Sequence, residues 1–138
     1  MKYLVPIGRI FFSLIFIMSG FAHFSKSTIG YAASQGVPLA SIAVPLSGLI
    51  AVAGGLSIAL GFQTKWGAWL IVLFLIPVTF MMHPFWKVQD PMMSQIQMIM
   101  FMKNISMLGG AFAFAYFGAG PVSIDARNAI GTEAVTVS

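Results

Sequence analysis

The chain has 138 residues, 59% of them hydrophobic and only 7% charged, with a formal net charge of +4. So few charges cannot cover a soluble domain, which carries about 25% charged residues, so the bilayer is the expected solvent for a single domain. The basic residues are spaced singly, which gives no nucleic-acid signal and reads as topology determinants and anionic-lipid contacts, and the lack of cysteine excludes disulfides, thiol redox chemistry and thiolate metal ligation.

A spanning helix needs roughly 20 mostly apolar residues. Four runs qualify, at about 4–24, 41–62, 66–82 and 95–117, so the predicted fold class is all-α: an integral membrane four-helix bundle over residues 1–118. The first run opens with Lys2 and invites a signal-peptide reading. Arg9 interrupts it, however, and no small-x-small cleavage site follows, so an uncleaved first helix is expected. Between the first two spans, Ile29 to Gln35 reads as a short interfacial helix that Gly36 caps and Pro38 blocks, with Tyr31 at the headgroups. Gln63, Thr64 and Lys65 make a tight hairpin between the second and third spans, and Phe85 and Trp86 suit a headgroup belt between the third and fourth. Residues 119–138 form a C-terminal tail. With the N-terminus inside, Lys2, Arg9, Lys65 and Arg127 are cytoplasmic against Lys26 and Lys87 outside, so both termini are expected in the cytoplasm.

Small residues recur four apart in the second span at Ser47, Ala51, Gly55 and Ala59, and the fourth carries Gly109, Gly110 and Ala113. Such residues let helix backbones approach closely, within the bundle or in a homo-oligomer. Arg9, Ser13, Gly20 and His23 share a narrow stripe of the first span, with Ser19 four before His23. Thr79 and His83 end the third. Met93, Gln97, Met100, Asn104 and Met107 align on the fourth, with Lys103 at the shoulder of that face. Ionisable groups inside a membrane are costly and are functional candidates, although Lys103 also has the plain option of snorkelling to a lipid phosphate. His23, His83, Gln97, Lys103 and Asn104 are therefore expected to converge as a ligand-binding site in the outer half of the bundle. Arg9 needs an acceptor. Of the three acids, Asp90 lies in the outer loop and Glu133 far along the tail, so a structural Arg9–Asp125 ion pair is expected, with Ser123 capping a short helix. The methionines of the fourth span read as core filling rather than copper ligands, and no metal site is expected.

The segments GRIFFSLIFIMSGFAHF, YAASQGVP, MMHPFW, FMKNISMLGG and GAGPVSIDAR occur in this order. In them the chain resembles the DoxX family of small bacterial inner-membrane proteins. The resemblance implies a multi-pass, four-helix inner-membrane protein. It also implies a link to membrane oxidoreductase complexes, since the wider group includes the DoxD subunit of thiosulfate:quinone oxidoreductase.

Two functions follow as expectations. One is a redox-associated subunit that binds a quinone or similar small amphiphile: histidine exchanges protons, Lys103 stabilises negative charge, Asn104 or Gln97 donates hydrogen bonds, and Phe101, Phe85 and Trp86 wall the pocket. Haem between His23 and His83 is disfavoured, because no further strong ligand exists. The other is a non-catalytic accessory or structural subunit of a larger membrane complex. A transporter is weaker still, because four helices leave little room for alternating access.

Overall fold

The computed structural model describes residues 1–136. Six helices follow in chain order: α1 (Leu4–Ala22), α2 (Lys26–Ser34), α3 (Ala40–Leu60), α4 (Thr64–Met82), α5 (Pro91–Phe117) and α6 (Ile124–Thr136), with a 3-10 turn at Phe85–Lys87 before α5. No strand occurs among the described residues. α1, α3 and the helix pair after it are long and apolar enough to cross a membrane. At about 1.5 Å per residue even the 19-residue α1 reaches about 28 Å, close to the roughly 30 Å hydrocarbon core.

α2 and α5 start three and four residues before the sequence expectation, and in each a capping residue explains why. α2 begins at Lys26 because the Ser25 hydroxyl accepts from the Thr28 amide at 3.2 Å. α5 begins at Pro91 because proline suits the first helical turn and the Asp90 carboxylate accepts from the Met92 amide at 3.3 Å. Gly36 has φ 85°, the left-handed turn that lets the chain leave α2 for α3.

α1 packs along α3, α3 on α4 and α4 on α5. Glycines set the first two crossings. A Cβ at Gly20 would stand 2.8 Å from the Gly48 carbonyl, and one at Gly48 2.6 Å from the Gly20 carbonyl. A Cβ at Gly54 would meet the Gly67 carbonyl of α4 at 2.9 Å. The core is Phe16, Ala51, Ile58, Ala68, Ile71, Val72, Phe74, Leu75 and Ala111. α2 lies over one end of α3, where Ala32, Ala40 and Val44 pack with Ile29, Val37 and Met82. That end also carries the 3-10 turn. The opposite end, the base, carries the α3–α4 hairpin and α6.

Beyond α5 the chain turns back at the base and starts α6, whose first turn is anchored there while Arg127 to Thr132 are exposed. Gly118 and Gly120, with φ 76° and 68°, turn the chain back, and the Asp125 amide donates to the Gly61 carbonyl at 2.8 Å. The Ser123 hydroxyl accepts from the Ala126 amide at 3.1 Å, the cap geometry of a helix start. The Glu133 side chain lies outside the described residues.

Candidate functional site

α1 and α5 meet only sparsely, so the bundle has one open seam. Toward the base the seam is closed by Phe12 of α1. Its ring lies 5.1 Å from that of Phe114, and a Cβ at Gly110 would come within 2.8 Å of it. Toward the α2 end the seam holds a cavity of about 180 Å³. α1 contributes Ser19 and His23 to its wall, α4 contributes Phe74, Val78, Met82 and the capping His83, and α5 contributes Lys103, Asn104 and Met107.

Four of the five residues singled out in the sequence thus line one cavity: His23, His83, Lys103 and Asn104. The fifth, Gln97, stands behind them. Its Oε1 lies 2.7 Å from Nδ1 of His83. This contact fixes the orientation of the His83 ring and leaves Nε2 free to face the cavity. Nδ1 of His23 is buried without a hydrogen-bond partner, and its ring lies 5.5 Å from that of Phe74. Asn104 is buried. Lys103 is exposed at the cavity edge, where among the described residues its ammonium meets the Met100 thioether, 3.4 Å away and a weak acceptor. The nearest acid along α5, Asp90, is about thirteen residues and so about 20 Å away, and is occupied in capping.

The expected aromatic wall is elsewhere. Phe85, Trp86 and Phe101 form their own cluster with ring separations of 5.2 to 5.8 Å, joined by Phe80, and the cavity wall is Phe16 and Phe74 instead. The spacing of Phe74, Val78 and Met82, each four apart, was the available signal for the α4 wall, since such residues share a helix face.

At the base, Arg9 is 2% exposed and donates from Nη1 to the Ala119 carbonyl at 2.6 Å and from Nη2 to the Val122 carbonyl at 2.7 Å. The Asp125 carboxylate accepts from the amides of Gln63 at 2.8 Å and Thr64 at 3.0 Å, the N-terminus of α4. The expected Arg9–Asp125 pairing therefore takes another form. Each group spends its hydrogen bonds on backbone, and the two interact through their charges. Burial works against the Asp125 charge, but the Thr64 and Gln63 amides, with Arg9, outweigh it and hold the carboxyl below the usual carboxylate range. These contacts pin the tail across the base.

The sequence model of the DoxX family matches residues 4–84, from α1 through α4. Inner membrane protein YphA of Escherichia coli K12 is 32% identical over 126 residues, covering 90% of this chain and 89% of its own length. Inner membrane protein YqjF of the same organism is 31% identical over 123 residues, covering 88% of each. No solved structure matches the chain.

Proposed function

The chain belongs to the DoxX family, and from that footing we propose that it is a redox-associated inner-membrane protein that binds a quinone or a similar small amphiphile at the seam between α1 and α5. The observation that carries this reading is one cavity lined by two imidazoles, a buried carboxamide and an ammonium that has no acid beside it among the described residues. An ammonium in an apolar bundle is costly unless something compensates its charge. A carbonyl oxygen that gains negative charge does so. Lys103 supplies the positive charge there, and Asn104 is the adjacent carboxamide. His83, with Nδ1 held by Gln97, takes or gives a proton at Nε2. Phe16 and Phe74 offer ring faces and keep water out. The sparse α1–α5 contact gives a lipid-borne ligand a lateral way in, so no aqueous path is needed.

Purification from native membranes in mild detergent, followed by extraction and mass spectrometry, tests the proposal. A quinone or related amphiphile recovered with the isolated chain is the expected result. Co-purification with a larger enzyme in fixed ratio, with no extractable ligand, would overturn it and favour the accessory-subunit reading.

A further inference from the structure

A second cavity, of about 240 Å³, lies between α2, α3 and α4. Its wall is apolar, with Ala32 and Val37 on the α2 side, Ala43 and Val44 from α3, and Pro77 and Met81 from α4. The Ser47 hydroxyl on that wall is spent on its own helix, donating to the Val44 carbonyl at 2.7 Å. His23, Val78 and Met82 border both cavities, so a partition one side chain thick separates the apolar space from the polar one. The partition is soft. Met82 has a flexible thioether chain that moves by rotamer change, and the His23 Nδ1 inside it has no bond to break.

Size decides how the two spaces are used. Pockets for small organic ligands hold about 300–1,000 Å³. Neither cavity reaches that alone, whereas the pair does once the partition yields. Resting on the reading above, we propose that the ligand is bipartite: its polar head occupies the cavity of His83 and Lys103, and an apolar substituent passes His23 into the cavity under α2. At about 30 Å³ per methylene-sized group, the volume a water takes in the liquid, the second cavity takes a chain of about eight carbons. α2 then has a role beyond marking the interface. It roofs the tail chamber, with Ala32, 2% exposed, facing Val44. Lipid is as apolar as the chamber, so the tail gains contact and shape rather than hydrophobic free energy, and the chamber acts as a gauge of tail shape.

The test uses the full chain in lipid nanodiscs and two probes: a tail-less dimethoxy-methyl-benzoquinone and the same ring bearing an octyl chain. Binding is read by tryptophan quenching for the wild type, for Ala43→Phe and for Ser47→Leu, both of which fill the tail chamber and leave the head cavity alone. Variant-to-wild-type ratios cancel partitioning into lipid. The expected result is an unchanged dissociation constant for the tail-less ring and one weakened roughly tenfold for the octyl ring, about 1.4 kcal/mol. Equal ratios for the two probes would overturn the tail chamber while leaving the head site standing. Failure of both probes to bind the wild type would instead sink the head site, and the tail chamber with it.

Discussion

Lys103 places an ammonium at the edge of the seam cavity, where the Met100 thioether 3.4 Å away is a weak acceptor. A lysine inside an apolar run is conspicuous, and so are two histidines near span ends, because few side chains in a membrane carry charge. Their partners are harder to read. Arg9 donates to the carbonyls of Ala119 and Val122, and since every residue owns a carbonyl, a search among acids finds Asp125 instead. Asp125 in turn serves the amides of Gln63 and Thr64. Asp125→Ala leaves those amides without an acceptor and Arg9 without a neighbouring negative charge, at an expected cost of about 1–2 kcal/mol for a partly wet site. Thermal unfolding in detergent measures it, with Asp125→Asn falling between. The pH dependence has a definite sign. The folded carboxyl titrates below its unfolded value, so its contribution is complete above the usual carboxylate range. It is lost as pH falls through the depressed value, below about pH 4 and not near neutrality. In Asp125→Ala that acid-side loss should shrink.

At the scale of elements, the four spans were legible from length and hydropathy, whereas the faces they present were not. α3 is so rich in Ala, Gly and Ser that small residues ring it, and a stripe through Ser47, Ala51, Gly55 and Ala59 is only one of several that could be drawn. Besides α2 at one end, two long neighbours pack on this helix. Gly48 and Gly55 meet α1, and Gly54 meets α4. Gly48, where a Cβ would stand 2.6 Å from the Gly20 carbonyl, is off the expected stripe. On α5 the adjacent glycines divide. Gly110 sits under the Phe12 ring, whereas a Cβ at Gly109 would meet nothing within 4 Å. Gly48→Leu should therefore force α1 from α3 and cost about 1–3 kcal/mol or more through overpacking. Gly109→Leu should be neutral or stabilising, by up to about 1 kcal/mol from helix propensity. Paired unfolding curves check this, and equal losses in the two variants would contradict the packing described. Helix starts were misjudged by a few residues because Ser25 and Asp90 each look like ordinary loop residues until their side chains are seen to cap.

At the scale of the whole molecule, the fold was legible in outline and the site in composition, but the open seam was not. Hydrophobic periodicity marks a buried face without saying which neighbour covers it, so the sparse contact of α1 with α5 and the chamber under α2 emerge only from the assembled bundle. The proposed orientation follows the lysine and arginine bias. The chain contains no cysteine, so single substitutions report cleanly. In intact cells a membrane-impermeant maleimide should label Lys87→Cys, near the α2 end, and spare Lys2→Cys until the cells are opened; the reverse pattern would invert the topology. In the proposed site a polar head is held at the seam by the ammonium of Lys103, which has no acid beside it among the described residues. Titration of a tail-less benzoquinone into wild type and Lys103→Met in lipid nanodiscs addresses it most directly. The methionine keeps the bulk and removes a costly charge, so folding should be retained or improved. Binding should weaken roughly tenfold to a hundredfold, the value of one hydrogen bond to a charged group. Saturable binding of equal strength in both proteins would contradict the account.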